Sequence, residues 1–344
     1  MNTSMNHIVG IDIAKDTFTA RLVALGESPT PIGEVESFPN SSEGYAQLKR
    51  WAVGTGAEPE SSQVVMEATG VYWEACALYC HGEGFAVSIV NPAQIKFFAR
   101  TTLMRGKTDT LDADLIARFG AAIKPRVWNP PGEAFEELQL FSRQRDAYVA
   151  MLTQERNRLH ALSHRVHCPR QVIRMTKAHI RFLEKRIEEL EQAFKDHLDQ
   201  SPEWRRSVDL LTSMTGIGVV TAGVFLTETL AFSTMVDARQ LTAYAGLAPA
   251  PHTSGTSVRR RSRISKIGNP RLRRAAYMAS ISGIRANPVL KAFYKRLREK
   301  GKPAKVALVA VARKLLTIAF ALVQSQRPFD PLYISTKPGA KVCA

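Results

Sequence analysis

Four carboxylates stand where folding alone would not put them. Asp12 lies inside Ile8-Val9-Gly10-Ile11-Asp12-Ile13, and Glu67 ends Val64-Val65-Met66-Glu67. Both runs read as buried strands, where a carboxylate is costly unless it is paired or binds metal. Asp109 and Asp112 sit in Lys107-Thr108-Asp109-Thr110-Leu111-Asp112-Ala113, at the i,i+3 spacing of one helix face. Carboxylates converging from two strands and a helix suit a pair of divalent ions about 4 Å apart, built for phosphate chemistry. Magnesium takes such oxygen ligands in preference to His or Cys. The helical pair has a plainer reading, since acids in a first turn are routine and Asp109 to Asp112 resembles a capping box. Asp12 has no such alternative. Asp16 and Asp114 are spares, in a turn or off the predicted ligand face.

Three further stretches point to nucleic acid. Gly216-Ile217-Gly218 lies between two apolar helical patterns, as in a helix-hairpin-helix. There Gly216 and Gly218 would let backbone N–H groups meet a phosphate without reading sequence. The alternative is a tight interhelical turn that needs glycine torsions. Thr253-Ser254-Gly255-Thr256-Ser257-Val258-Arg259-Arg260-Arg261 reads as a flexible, hydroxyl-rich loop followed by three arginines. Those arginines would neutralise a phosphodiester if a serine oxygen attacked it. The residues alone favour a plainer reading, in which Ser254, Thr256 and Ser257 only hydrogen-bond phosphates. The basic run continues through Arg263, Lys266, Arg271, Arg273 and Arg274 into a helix.

Charge distribution supports this division. The net charge is +16 over 344 residues. Residues 238–344 hold 22 Lys/Arg and two acids, Glu299 and Asp330, whereas residues 1–237 carry a net −4. A solvated surface mixes signs; single-sign clustering rewards phosphate binding through counterion release. The four cysteines form no disulfide framework, which reads as a reducing, cytoplasmic compartment. Cys76 and Cys80 fit the apolar face of a helix. His160, His164, His167 and Cys168 have spacing that zinc could use, but no second cluster completes a site, so they read as surface residues. Tyr72 and Trp73 read as packing, with base stacking the alternative. The apolar run from Val306 to Val323 has Arg313 and Lys314 at its centre, which favours a core helix over a membrane span.

The elements that must position these residues read as follows. Strands are predicted at His7–Ile13, Thr17–Leu25, near Glu34–Phe38, at Gln63–Glu67 and at Ala86–Val90, the last ended by Asn91-Pro92. Helices are predicted at Ser42–Val53, capped by Ser41 or Ser42, at Tyr72–His81, and from Thr108 or Asp109 to about Phe119. This gives an α/β domain with a mixed sheet over residues 1–130. Heptad recurrence through Leu138, Leu152 and Leu159, then Ile180, Ile187 and Phe194, predicts a helical coiled-coil hairpin over 131–200. Arg145 and Glu155 interrupt its first seam. Oligomerisation arm and ordinary bundle half are both open readings of it. Residues 201–330 read as a mostly helical basic domain, and 331–344 as a tail.

The fragments in order resemble a known family. They are Gly10-Ile11-Asp12-Ile13-Ala14-Lys15, Glu67-Ala68-Thr69-Gly70, Asn91-Pro92, Lys107 to Ala113, Gly216-Ile217-Gly218, Tyr244-Ala245-Gly246-Leu247-Ala248-Pro249, Ser254-Gly255-Thr256-Ser257 and Ser265-Lys266-Ile267-Gly268. From about residue 7 to 330 the chain is similar to insertion-sequence transposases with a RuvC-like DEDD domain and a serine-bearing C-terminal domain. These are the bridge-RNA-guided recombinases, and pilin-gene invertases are their relatives. The resemblance implies an RNase H-like first domain in which Asp12, Glu67, Asp109 and Asp112 bind Mg2+. It makes Ser254 the nucleophile of a serine–DNA link. It further implies donor and target DNA, a noncoding bridge RNA, a bacterial nucleoid location, and a homo-oligomer (dimer or tetramer) with composite active sites. Rival readings are a metal-dependent junction nuclease using water, a noncatalytic RNA- or DNA-binding scaffold, and an actin-like ATPase. The short α/β region and the missing later phosphate loops count against the last.

Overall fold

The computed structural model describes residues 5–101, 109–254 and 258–332, with backbone alone for 109–110, 251–254 and 258–262. The chain divides into two compact units, residues 1–130 and 131–344.

In the first unit, β1 (His7–Ile13), β2 (Thr17–Ala24), β3 (Thr30–Pro39), β4 (Ser62–Glu67) and β5 (Ala86–Val90) form one sheet in the order β3-β2-β1-β4-β5. The first three strands run antiparallel, and β4 and β5 then add parallel to β1. The helices are α1 (Ser42–Gly54), α2 (Glu74–Gly82), α3 (Pro92–Thr101) and α4 (Asp109–Ile123). Ser41 caps α1, its hydroxyl accepting from the Gly44 N–H.

Strand alternation sorts the sheet into two faces. Val9, Ile11, Ile13, Val64 and Met66 pack with Leu48 of α1 and Cys76, Ala77 and Cys80 of α2. Ile8, Val65 and Val90 face the other way, against Leu115, Ile116, Ala117 and Phe119 of α4. Gly10 permits this second contact. A Cβ there would lie 2.3 Å from the Ala117 nitrogen and 2.6 Å from the Ala113 oxygen, so α4 lies directly on β1.

The sequence reading ends β5 at Asn91-Pro92 and continues with no helix. In fact those two residues start α3. Asn91 Oδ1 accepts from the Ala93 N–H at 2.8 Å, and Pro92 takes the first helical position, where its missing N–H costs nothing.

The second unit opens with α5 (Glu133–Ser163) and α6 (Arg170–Asp199), an antiparallel hairpin. Leu152 packs with Ile180, Leu183 and Ile187 along its seam. The two charged seam residues find partners. Arg145 Nε meets Glu191 at 2.7 Å, and Glu155 meets Arg158 at 2.8 Å and His179 at 3.5 Å. Then follow α7 (Pro202–Thr212), α8 (Val219–Thr229), α9 (Ala238–Tyr244), β6 (Pro249–Ser254), β7 (Val258–Ile264), α10 (Pro270–Ala286), α11 (Pro288–Glu299) and α12 (Ala304–Ser325). The segment expected to be a loop around Ser254 is a two-stranded antiparallel hairpin. Helix α12 is long and apolar enough to cross a bilayer. One face of it, through Ala307, Val311, Leu315, Leu316 and Ala319, fills the core of this unit.

Candidate active site

Asp12 and Glu67 come together because of strand register. Ile11 of β1 is level with Met66 of β4, and both point to the α1/α2 side. The next residues, Asp12 and Glu67, therefore fall on the α4 face, side by side at the C-terminal ends of adjacent parallel strands. Helix α4 runs against β1 in the opposite sense. Gly120 abuts Ile8 and Val65, and Ala113 and Ala117 abut Gly10. Continuing that course brings the first turn of α4, with Asp109 and Asp112, toward the Asp12 end of β1.

Asp12, Glu67 and Asp112 are each half-buried. Glu67 Oε1 accepts from the Thr69 hydroxyl at 2.9 Å. The contrast on α4 is with Asp114, which pairs with Arg118 at 2.7 Å and Arg21 at 3.5 Å. Asp114 is thus a fold-stabilising acid, whereas among the described residues neither Asp112 nor Glu67 has a cationic partner within ion-pair distance. The side chain of Asp109 lies outside the described residues. Among the described residues, no three His, Cys, Asp or Glu side chains close into a metal-sized cluster. In kind, a set made only of carboxylates fits a hard, oxygen-seeking cation.

The loops that carry this end of the sheet are tied by one side chain. Asn40 Nδ2 donates to the carbonyl of Ala14, two residues past Asp12, at 2.9 Å. It also donates at 3.2 Å to the carbonyl of Tyr72, in the loop that follows Glu67. Tyr45 donates its hydroxyl to Asn40 Oδ1 at 2.5 Å, which fixes the amide orientation. Burial, then the neighbouring Cys76 and Cys80, push the Tyr45 phenol above its ordinary value, so it remains a donor. Sequence reading missed Asn40, whose partners are 26 and 32 positions away. We expect Asn40→Asp to lower stability by about 1–3 kcal/mol, since it removes both donors. It should also slow DNA strand exchange by more than about tenfold, as a small displacement of catalytic groups suffices for that. Thermal melting and a plasmid recombination assay on the same preparation check both.

Tyr72 and Trp73 separate in role. Trp73 packs edge-on to Trp128, and its Nε1 donates to the Gly70 carbonyl. Tyr72 is 43% exposed and Val71 64%. Cys76 and Cys80 are core residues. The hydrogen bond between them, with burial, holds the Cys76 thiol well above its ordinary value.

In the second unit, Gly216 and Gly218 join α7 to α8 with different duties. Gly216 has φ +110°, and a Cβ on it would meet the Gly283 Cα at 2.7 Å, so its glycine serves the turn and the packing. Gly218 is exposed, has open space around it and precedes α8, whose first amides receive no side-chain cap. Ser254 is the last residue of β6, level with Val258 of β7 across the hairpin tip. Arg259 and Arg260 of β7 lie level with Thr253 and His252. Thr256 and Ser257, and the side chains of Ser254, Arg259, Arg260 and Arg261, lie outside the described residues.

The remaining basic candidates divide. Arg263, Lys266 and Arg274 are exposed. Arg273 donates to the carbonyls of Ala245 and Lys266 and so holds the base of the hairpin. Arg271 is engaged within the unit. Its Nε lies 2.8 Å from the buried Glu228, and its Nη2 reaches Asp146 at 3.2 Å and Ser142 at 2.9 Å. Asn269 donates to the other Glu228 oxygen at 2.7 Å. The result is a polar core joining α5, α8 and α10. His160 and His164 stack at 4.4 Å, and His164 Nδ1 is within 2.8 Å of the His160 carbonyl, an interaction within the helix end.

A mixed sheet presenting paired carboxylates, together with a basic helical unit, defines an enzyme class that works on nucleic acid. Comparison with known proteins makes it specific. Residues 9–167 match the DEDD transposase family of IS110, and residues 208–295 match the Transposase IS116/IS110/IS902 family. The chain is 35% identical to the pilin gene-inverting protein of Moraxella bovis over 323 residues, covering 94% of this chain and 97% of the relative. It is 34% identical to the Moraxella lacunata counterpart over the same shares. A 43.6 kDa protein of insertion element IS110 from Streptomyces coelicolor is 36% identical over 115 residues, 33% of this chain and 28% of that protein. The chain belongs to the IS110 family of transposases and DNA invertases, and it is a DNA transposase/recombinase.

Proposed function

We propose that this recombinase cuts and rejoins DNA through a covalent serine intermediate, with an RNase H-like (RuvC-like) first domain supplying the acidic half of the site. The observation that carries the reading is the placement of Asp12 and Glu67 side by side on the α4 face, at the ends of adjacent parallel strands. The order β3-β2-β1-β4-β5 supports the fold assignment. Asp12, Glu67, Asp109 and Asp112 are the residues that would hold Mg2+, which when bound withdraws charge from phosphate oxygens.

Ser254 Oγ attacks the scissile phosphorus while its proton passes to a neighbouring base. The bond from phosphorus to the departing sugar oxygen breaks, and that oxygen gains a proton. In the second step a different sugar hydroxyl attacks the same phosphorus and releases Ser254. Each step exchanges one phosphate ester for another, so rejoining needs no ATP. Arg259, Arg260 and Arg261, next in sequence, would offset charge on the phosphate in both steps. The Gly218 end of α8 with Arg263, Lys266 and Arg274 would hold the backbone nearby.

The acids and the serine belong to different units of the chain, which supports a composite site completed in a homo-oligomer at the nucleoid. A noncoding bridge RNA would then select donor and target DNA, since backbone contacts of this kind position nucleic acid without specifying sequence. Sequencing the nucleic acid that copurifies with the intact protein tests the guide. A single defined RNA encoded beside its own gene is the expected result. A random sample of cellular RNA would remove the guide from the reading.

A further inference from the structure

The hairpin and the segment after it do not exhaust the charge of the second unit. Helix α11 and its turn into α12 carry Lys291, Lys295, Arg298, Lys300, Lys302 and Lys305, all exposed. Lys291, Lys295 and Arg298 fall at i, i+4 and i+7, a stripe along one helix face about 10 Å long at 1.5 Å per residue. Glu299 is the sole acid between Ala238 and Arg327. Among the described residues, none of the six lies within ion-pair distance of a carboxylate. The same unit shows what a solvated face looks like. On the α5–α6 hairpin, Arg156 pairs with Glu184, and Lys185 and Arg186 pair with Glu189.

The stripe sits on a firmly seated element. Asn287 Oδ1 accepts from the Val289 and Leu290 N–H groups and caps α11. Leu290 is fully buried against Gly283 of α10, where a Cβ would meet its Cδ1 at 2.6 Å. The Phe293 ring lies under the cations of Arg296, at 5.4 Å, and of Lys314 from α12, at 4.7 Å. Gly283 also abuts Gly216. Helix α11 and the turn that starts α8 are therefore anchored at one residue of α10.

We propose that α11 and the α11–α12 turn form a second phosphate-binding surface, separate from the β6–β7 hairpin, that grips the sugar–phosphate backbone of a nucleic-acid duplex. The inference rests on the reading of this chain as a recombinase that holds duplexes during strand exchange. A charged, fixed stripe with no carboxylate partners among the described residues releases counterions on binding and positions the duplex without reading bases.

The test is the salt dependence of binding by the full chain carrying Lys291→Gln, Lys295→Gln and Lys300→Gln together. These are exposed positions, and the melting temperature should match that of the parent protein. The probes are a DNA duplex and an RNA duplex of the same arbitrary sequence. For DNA, the slope of log affinity against log salt should become shallower by about 2 to 3, near 0.9 per lost contact. A change confined to DNA, or one confined to RNA, identifies which duplex occupies the surface, and either supports the proposal. Unchanged affinity and slope for both, with steep salt dependence in the parent protein, overturn it and leave the recombinase reading intact. A parent protein that binds neither duplex would instead overturn the reading that this chain holds duplexes during strand exchange, and the surface with it.

Discussion

Asp12→Asn should abolish strand exchange while leaving the fold intact. Asparagine keeps the shape of the side chain and removes the charge. The position is half-buried at the end of its strand, so a near-isosteric amide should melt within a few degrees of the parent protein. Catalysis should respond far more strongly. A carboxylate that supports phosphate chemistry contributes several kcal/mol to the transition state, so its loss should slow the reaction about a thousandfold or more. Glu67→Gln should behave alike, and the double variant should be little worse than either single one, because groups acting as a unit are not additive. Melting curves and a recombination assay on the same preparations measure the two effects. Reduced stability with retained recombination would make Asp12 a structural residue.

Arg271→Met should have the largest effect on stability. It leaves Glu228, whose side chain is only 5% exposed, without its guanidinium, and it also strips Asp146 and Ser142 of a partner. Breaking a buried pair from one side costs about 3–5 kcal/mol. In a unit of this size that is a drop in melting temperature on the order of 10 °C. Adding Glu228→Gln should recover much of the loss, since a neutral amide tolerates burial better than an orphaned carboxylate. If Arg271 instead gripped phosphate, the variant would melt normally and lose about one unit of salt slope. Melting and DNA titration of the same variant separate the two roles.

These residues show where sequence was informative. The strands carrying Asp12 and Glu67 were legible because an acid in an apolar run has few explanations. Their placement on one face was not, since it depends on the register of Ile11 with Met66 and on the close approach that Gly10 allows to α4. Helix α3 was hidden by Pro92, which ends a strand and begins a helix with equal ease. The β6–β7 hairpin was hidden by Pro249 and Pro251, which argue against a strand, and by its Ser/Thr/Gly-rich tip. The intramolecular partners of Arg271 were not legible because sequence displays a charge without its partners; Ser142 is 129 positions away. The charged seam residues of the helical hairpin, which weakened the heptad pattern, are answered by Glu191 and His179 on the opposing helix.

The most direct test of the account is to trap the covalent intermediate. Purified protein is incubated with labelled DNA carrying its own element's ends, quenched in denaturant, and the protein–DNA adduct is digested and located by mass spectrometry. The account predicts a phosphodiester link on the peptide containing Ser254. That link should be absent in Ser254→Ala and strongly reduced in Asp12→Asn. Recombined DNA with no adduct in the parent protein, or an undiminished adduct in Ser254→Ala, would contradict it.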